Sequence, residues 1–264
     1  MKKIIVLLIT LVGGFTLASC QEGIPNTWED IENRGYFIVG LDDTFAPMGF
    51  RDNDGNIVGF DVDLANAVAN YLDIDIKFQP IDWDSKVLEL EAGTIDMIWN
   101  GLTITDERLE QMSFSDAYVA NAQIIITQGD SDIDKIEDLA GKKVGYQVSS
   151  AAEPAVENSD VYEQIGEIVK YDAYDQAMLE LKNGIVDAIV VDEIFGRYAI
   201  SQAEEGVYKV ASENFGDEDY GIGFRLDATD IRDTINAALE AIAKDGTAQE
   251  ISESWFNENI FLIS

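Results

Sequence analysis

A near repeat decides the fold: residues 88–98 are Leu-Glu-Leu-Glu-Ala-Gly-Thr-Ile-Asp-Met-Ile, and residues 179–189 are Leu-Glu-Leu-Lys-Asn-Gly-Ile-Val-Asp-Ala-Ile. Six of the eleven positions are identical. Each copy has the pattern of a helix end, a glycine able to take the left-handed cap conformation, and a buried strand. An earlier β-rich run precedes each copy, at 36–41 and at 143–147. The pattern predicts an α/β protein with two lobes of related design, and a generic α/β sequence pattern is the alternative explanation.

Shorter signals complete the first half of the chain. Residues 52–56, Asp-Asn-Asp-Gly-Asn, predict a hairpin turn, because Asn and Asp before Gly suit positive φ. The start of a calcium loop is the alternative, but Asp63 stands where such a loop needs glutamate. Residues 61–71 have apolar side chains at helical spacing, with Asp61 or Asp63 serving the first turn.

The composition excludes several classes of function. The chain has 264 residues, with 17 basic and 51 acidic side chains, no histidine, one cysteine and 47% hydrophobic residues. The lack of histidine excludes a Ser-His-Asp triad and an imidazole metal site, and a single cysteine excludes an internal disulfide and a multi-cysteine metal centre. A formal net charge of −34 would repel a phosphate backbone, so we predict no nucleic-acid binding.

The N-terminus has the pattern of a secretory signal. Two lysines precede an apolar run at 4–12, which is shorter than the ~20 residues of a membrane span. Leu-Ala-Ser-Cys at 17–20 resembles the lipobox of bacterial lipoproteins, in which the cysteine is acylated. We predict a signal peptide at 1–19, a lipid on Cys20 that anchors the chain to the cell membrane, and a polar tether at 20–27. An ordinary signal peptide with an incidental cysteine is the alternative.

The residues that follow each predicted strand are the site candidates, because ligands of open α/β sheets bind beyond the carboxyl ends of the strands. They comprise one cation, several hydroxyls, anions and an aromatic ring, which suits a small zwitterion. They are Asp42, Asp43, Thr44 and Phe45 after the first strand; Asn100, Gly101, Leu102, Thr103, Ile104, Thr105 and Arg108 after Trp99; Gln147, Val148, Ser149, Ser150, Ala151 and Ala152 after Tyr146; and Asp192 and Glu193 after Val191.

Arg108 is the most informative of these candidates. Residues 105–107, Thr-Asp-Glu, have the pattern of an N-cap and a first helical turn, where the helix dipole disfavours a cation. A guanidinium at this place fits bidentate capture of a carboxylate. An ion pair with Asp106, Glu110 or Asp116 is the alternative.

Two candidates come from the second half of the chain. Asp192 can cap the predicted helix 193–200 and still offer an oxygen to a ligand ammonium. Residues 149–153 have the pattern of a loop that enters a helix at Pro154, so their N–H groups can meet a carboxylate.

Two aromatic residues complete the set. Phe45 follows the first strand, and Trp83 has an acidic residue on each side, which predicts partial exposure. Burial in the core, the ordinary place of an aromatic ring, is the alternative for both.

Five segments carry a resemblance that covers nearly the whole mature chain. They include Asn-Gly-Leu-Thr-Ile-Thr-Asp-Glu-Arg at 100–108 and Val-Asp-Ala-Ile-Val-Val-Asp at 186–192, and the others lie at 49–65, 114–118 and 138–145; together they are highly specific. They resemble the polar amino-acid solute-binding proteins of bacterial ABC importers, in the type II periplasmic-binding-protein family.

The resemblance implies two Rossmann-like lobes joined by two crossing strands, with the ligand cleft between them. One lobe would comprise 28–120 and 214–264, and the other 121–213. The first crossing would begin near Tyr118, and the return would precede Tyr220.

The resemblance also implies roles for individual residues. Arg108 and Thr103 would bind the α-carboxylate with N–H groups near Ser150, Ala151 and Ala152. Asp192 and the Gly101 carbonyl would bind the α-ammonium, and Phe45 and Trp83 would pack on the ligand side chain. Asp42 would face the side-chain end, and Asn100 and Gln147 would complete the cleft. This chain has Ser-Ser-Ala at 149–151 where the family often has Gly-Thr, and Gln147 where some members have a basic residue. Because Arg108 is the one cation among these candidates, a neutral polar, sulfur-containing or cationic side chain is favoured over an acidic one.

The expected function is an extracytoplasmic receptor that captures a polar L-amino acid by lobe closure and delivers it to an ABC transporter permease. We predict a monomer that needs no cofactor or metal and is not an enzyme. An enzyme of the same fold, of the dehydratase or lytic type, and a ligand-sensing surface lipoprotein are the alternatives. The acidic runs at 130–138 and 213–219 are expected to be exposed and to serve solubility rather than ligand choice.

Overall fold

The computed structural model describes residues 24–264. The predicted signal peptide at 1–19 and the predicted lipid on Cys20 lie outside these residues and stay predictions. Helices and strands alternate along the described chain, which confirms the predicted α/β class. Within residues 24–264, no helix is both long enough and apolar enough to cross a membrane.

The elements are numbered in chain order. The strands are β1 (Tyr36–Leu41), β2 (Thr44–Phe45), β3 (Gly49–Arg51), β4 (Ile57–Val58), β5 (Asp75–Pro80), β6 (Met97–Thr103), β7 (Ser113–Phe114), β8 (Val119–Gln128), β9 (Lys143–Gln147), β10 (Glu167–Tyr171), β11 (Ala188–Asp192) and β12 (Tyr208–Phe224). The α-helices are α1 (Trp28–Arg34), α2 (Phe60–Leu72), α3 (Lys86–Ala92), α4 (Asp106–Leu109), α5 (Ala152–Glu157), α6 (Tyr174–Lys182), α7 (Glu193–Ser201), α8 (Thr229–Lys244) and α9 (Thr247–Phe256). Short 3-10 helices occupy Trp83–Ser85, Ile136–Leu139 and Tyr162–Gln164.

A nine-stranded mixed sheet organises the molecule. Its order is β10-β9-β11-β8-β12-β6-β1-β5, and β7 pairs with β12. The strands β6, β1 and β5 are parallel and form what we call the first half of the sheet. The strands β10, β9 and β11 are also parallel and form the second half. A separate antiparallel sheet of β2, β3 and β4 contains the turn predicted at 52–56.

Two long strands connect the halves. β8 begins at Val119, one residue after the position expected for the first crossing, and β12 returns beside it in antiparallel pairing. β12 pairs with β8 from Tyr208 to Tyr220 and with β6 from Tyr220 onward. The two halves are therefore joined at the centre of one continuous sheet, while the lobe boundaries given above stay predictions.

The near repeat has the predicted conformation in both copies. Gly93 follows α3 with a φ of 71°, and Gly184 follows α6 with a φ of 69°. β6 then pairs with β1, and β11 with β9, so each copy joins the earlier strand of its own half.

The first-half strand that carries most of the site is longer than the sequence predicted. Residues 100–103 belong to β6, all seven residues of which are buried, instead of forming a loop after Trp99. β12 extends the strand, because Tyr220 pairs with Thr103 and the pairing register shifts near Gly221. Backbone pairing with a crossing strand is a long-range contact, and local sequence does not reveal it.

Asp61 is in the first turn of α2, but it does not serve the helix end. The cap residue is Gly59, and no side chain caps this end. Asp61 is 1% exposed and accepts hydrogen bonds from the Gly101 N–H at 2.8 Å and from the Tyr118 hydroxyl at 2.9 Å. Burial raises the pKa of Asp61 to about 7. The carboxyl group ties α2 to β6 and to the residue that precedes the first crossing strand.

Candidate functional site

A cavity is lined by residues from both halves of the sheet. Of the twelve contacts predicted from the sequence, Ala152 alone does not line the cavity; it is fully buried as the first residue of α5. The residues that line it are Asp42, Phe45, Trp83, Asn100, Gly101, Thr103, Arg108, Gln147, Ser150, Ala151 and Asp192.

Arg108 brings a buried positive charge to this cavity. Thr105 caps α4 as predicted, accepting the Arg108 N–H at 3.2 Å. The guanidinium donates to the Thr103 carbonyl at 2.8 Å and, across the cleft, to the Ser149 carbonyl at 3.1 Å. Within residues 24–264, no carboxylate lies within 4.0 Å of it, so the alternative ion pair with Asp106, Glu110 or Asp116 is absent. Burial lowers the pKa of Arg108, and the charges of Asp192 and Glu218 oppose that shift.

Asp192 brings a buried carboxyl group from the second half. It occupies the N-cap position of α7, as predicted, but its side chain makes no capping hydrogen bond. Its Oδ1 atom instead accepts from Asn121 Nδ2 at 2.8 Å and from the Tyr220 hydroxyl at 2.9 Å. Burial and the nearby charge of Glu218 raise the pKa of Asp192 to about 7. No side chain among the described residues donates to its Oδ2 atom, which leaves that oxygen available to a ligand.

Asp42 and Gln147 meet across the cleft. Gln147 donates to Asp42 Oδ2 at 2.8 Å, and Thr44 donates to Asp42 Oδ1 through both its N–H and its hydroxyl. Asn100 Oδ1 accepts the Asp42 N–H at 3.1 Å. Burial raises the pKa of Asp42 from its ordinary value. Polar side chains from strands of both halves therefore form one wall of the cavity.

Aromatic rings form another wall. Phe45 stacks on Phe195 with ring centroids 5.2 Å apart, and Tyr174 packs on both rings at 6.1 and 5.4 Å. Trp83 is 7% exposed, so the partial exposure expected from its acidic neighbours is wrong. It lies in a 3-10 helix that turns the indole inward. Phe195 in α7 and Tyr174 in α6 do not line the cavity themselves; they support Phe45 from behind.

The second-half loop enters its helix earlier than predicted. α5 begins at Ala152, so Pro154 is its third residue and not its first. Ser149 adopts a left-handed φ of 56°, and the Glu153 side chain accepts the Ser149 N–H at 2.7 Å. This turn and this hydrogen bond keep the loop before α5 short. The Ser149 carbonyl accepts from Arg108 and also from Lys86 Nζ at 2.8 Å.

Two charged residues beside the site were not predicted. Lys86 is 4% exposed, and burial together with the charge of Arg108 lowers its pKa to about 7. Glu218 accepts from Thr103 Oγ1 at 2.8 Å and is half-buried, whereas the other acids of the run, Glu213, Asp217 and Asp219, are exposed as expected. The pairing of Glu218 with Asn121 across β12 and β8 turns the side chain inward. The sequence did not reveal this inward orientation, because Glu218 lies in a run of acidic and polar residues.

The described residues contain no cluster of three or more acidic side chains that could hold a metal ion. The polar groups that line the cavity are instead one guanidinium, carboxyl groups, amides and hydroxyls. Such a set can bind a small molecule that carries both an anionic and a cationic group.

Comparison with known proteins gives consistent matches over almost the whole chain. Residues 37–258 match the family model described as "Bacterial extracellular solute-binding proteins, family 3". The L-cystine-binding protein TcyJ of Escherichia coli (strain K12) is 30% identical over 97% of this chain and 94% of its own length. The lysine/arginine/ornithine-binding periplasmic protein of the same strain is 30% identical over 99% of both chains.

A solved structure agrees with these matches. The crystal structure of an ABC uptake transporter substrate binding protein from Streptococcus pneumoniae with bound histidine has a TM-score of 0.85 and 36% sequence identity. The likeness covers 89% of this chain and 97% of that one. It confirms the predicted architecture of two α/β lobes.

Gly101 is a cavity residue at which any side chain would be strained and would clash with its neighbours. Its φ is +58°, and an added Cβ would lie 2.9 Å from Phe45 Cε1 and 3.1 Å from Tyr220 Cε2. We expect Gly101→Ala to lower the free energy of unfolding by about 2–5 kcal/mol, the sum of a left-handed backbone penalty and overpacking. Denaturant unfolding measures this.

Gly55→Ala is the matched control. Gly55 has a φ of +84°, and an added Cβ would meet no atom within 4 Å. This variant should lose only the backbone contribution, about 1–2 kcal/mol. Equal losses in the two variants would contradict the close packing at Gly101.

Proposed function

This chain belongs to the bacterial extracellular solute-binding proteins, family 3, and on that premise we propose that it is an extracytoplasmic receptor that binds a polar L-amino acid and delivers it to an ABC transporter permease. The resemblance seen in the sequence is thus confirmed at the level of the family. The matched relatives are binding proteins, so an enzyme of the same fold is not the preferred assignment.

The proposal rests mainly on the buried charge of Arg108, which is unpaired in the described part of the chain. Its guanidinium is buried in the cavity, uses two of its five N–H groups on carbonyls, and has no carboxylate partner among the described residues. A buried charge without a counterion is unfavourable, and a guanidinium binds a carboxylate through two parallel hydrogen bonds. A ligand carboxylate completes this arrangement.

The opposite charge of the ligand has its own place in the cavity. Asp192 keeps Oδ2 available, and Gly101 belongs to the same lining. We assign the α-ammonium to these two groups and the α-carboxylate to Arg108 with N–H groups of the Ser150–Ala151 segment. An L-amino acid satisfies both ends of the cavity at once.

The charges around the cavity favour a cationic side chain. Asp42, Asp192 and Glu218 are acidic, and Arg108 and Lys86 are basic, which leaves one net negative charge when all are ionised. A cationic amino acid carries one net positive charge and balances it. Asp42 is the partner we propose for the side-chain cation, and Phe45 and Trp83 pack along the apolar part.

The remaining sequence expectations complete the proposal. Residues 28–120 and 214–264 form one lobe and 121–213 the other, and the lobes close over the ligand by a hinge in the crossing strands. The mature chain is a monomer held at the cell membrane by a lipid on Cys20. It requires no cofactor.

The experiment that tests the function removes the guanidinium. We expect Arg108→Ala to weaken binding of L-arginine, L-lysine and L-histidine by roughly 100-fold or more, because the ligand carboxylate loses a buried charged partner. Arg108→Lys should also bind weakly, since an ammonium cannot make the paired contact. Isothermal calorimetry measures the affinities.

Arg197→Ala is the control for the loss of one arginine. Arg197 is exposed and pairs with Glu193 on the surface of α7, so this variant should bind as the wild type does. Wild-type affinity in Arg108→Ala would refute the assignment.

A second prediction concerns protons. Because the pKa of Asp192 is about 7 in the unliganded protein, the carboxyl group is mainly protonated at pH 6. A bound α-ammonium favours the carboxylate and lowers this pKa, so binding at pH 6 should release up to about one proton and affinity should rise from pH 5.5 to 8. Lys86, with a pKa of about 7, already holds its proton at pH 6.

Calorimetry of L-arginine binding in two buffers of different ionisation enthalpy measures the release. Asp192→Asn, titrated at saturating ligand, should release fewer protons than the wild type, and any remaining release belongs to Asp42, whose pKa burial also raises. Equal heats in both buffers for the wild type would contradict the pairing of Asp192 with the ammonium.

A further inference from the structure

The Thr103 hydroxyl, which lines the cavity, already has an acceptor for its proton. Thr103 is 2% exposed, and its Oγ1 donates to Glu218 Oε1 at 2.8 Å. A hydroxyl has one proton to donate and two lone pairs that accept, whereas an ionised carboxylate only accepts. With its proton directed to Glu218, the hydroxyl presents lone pairs to the cavity.

Glu218 is held in place from the other side. The same Oε1 atom accepts from Asn121 Nδ2 at 2.5 Å and from Gln123 Nε2 at 2.7 Å. Asn121 and Gln123 lie two residues apart on β8 and therefore on one face of the strand, and Glu218 pairs in register with Asn121. Glu218 itself is not among the residues that line the cavity. Both crossing strands thus fix this carboxylate behind Thr103.

Asn121 joins this group to the second carboxyl group of the site. Its Nδ2 atom donates both to Glu218 Oε1 and to Asp192 Oδ1. Asp192 Oδ2 and Thr103 Oγ1 are then two acceptors held on the cavity wall by one network. Acceptors placed in this way suit an ammonium and do not suit a carboxylate.

We propose that Glu218 is a positioning residue that keeps the Thr103 hydroxyl as an acceptor for the ligand α-ammonium. This inference rests on the proposed function. It reassigns the Thr103 hydroxyl, which the sequence resemblance gave to the α-carboxylate, and it leaves Arg108 and the loop N–H groups as the carboxylate donors. Its consequence is selectivity: the site discriminates an amino acid from the same molecule without its amino group.

The test compares L-arginine with 5-guanidinopentanoate, which differ only in the α-ammonium. In Glu218→Leu, the Thr103 hydroxyl loses its acceptor, so its proton can turn toward the cavity. We expect L-arginine binding to weaken roughly tenfold or more, while 5-guanidinopentanoate binding stays unchanged or strengthens. The ratio of the two affinities, measured by calorimetry, therefore falls.

Asp217→Asn is the matched control. Asp217 is the exposed neighbour of Glu218 on β12, pairs in register with Ala122, and makes no side-chain hydrogen bond within residues 24–264. This variant loses the same unit of charge and should keep both affinities. Thermal unfolding of both variants checks that they are folded.

A Thr103→Val background tests whether Glu218 acts through the hydroxyl. There, Glu218→Leu should no longer change the affinity ratio. An equal loss for both ligands in Glu218→Leu, no change for either, or an unchanged effect in the Thr103→Val background would overturn the inference. The absence of wild-type binding to any amino acid would instead overturn the proposed function, and this inference with it.

Discussion

A buried guanidinium needs an anion, and Arg108 faces a cavity in which the described chain supplies none within ion-pair distance. Two carbonyls keep the side chain in place, one from its own half of the sheet and one from Ser149 across the cleft. Carbonyls satisfy N–H groups but do not neutralise the charge. The site can therefore bind a ligand carboxylate at Arg108. The other polar groups of the cavity lie where the ammonium and the side chain of a zwitterion would be.

The crossing strands do more than connect the halves. Asn121 on β8 and Tyr220 on β12 both donate to Asp192, and Glu218 on β12 accepts from Thr103 on β6. The orientation of the polar groups in the cavity thus depends on the geometry of the strands about which the lobes are proposed to close. If the lobes close as proposed, ligand recognition and closure would use the same hydrogen bonds, which is a physical route for coupling them.

The features that could be predicted from the sequence are those that depend on short, local patterns. Strand ends located Asp42 and Gln147, and an arginine set against a helix dipole identified Arg108. The errors concern contacts between distant segments. The extension of β6 through Thr103 depends on pairing with β12, and the inward orientation of Glu218 depends on pairing with β8. An acid in a polar run has no local feature that separates it from its solvated neighbours.

The central claim is that the cavity holds an amino acid with its carboxylate on Arg108 and its ammonium on Asp192. The most direct measurement is a crystal structure of the mature chain grown with L-arginine. The account predicts carboxylate oxygens at about 2.7–2.9 Å from the guanidinium nitrogens and the α-nitrogen at a similar distance from Asp192 Oδ2. An arginine bound in the reverse orientation, or with neither end on these two residues, would contradict it.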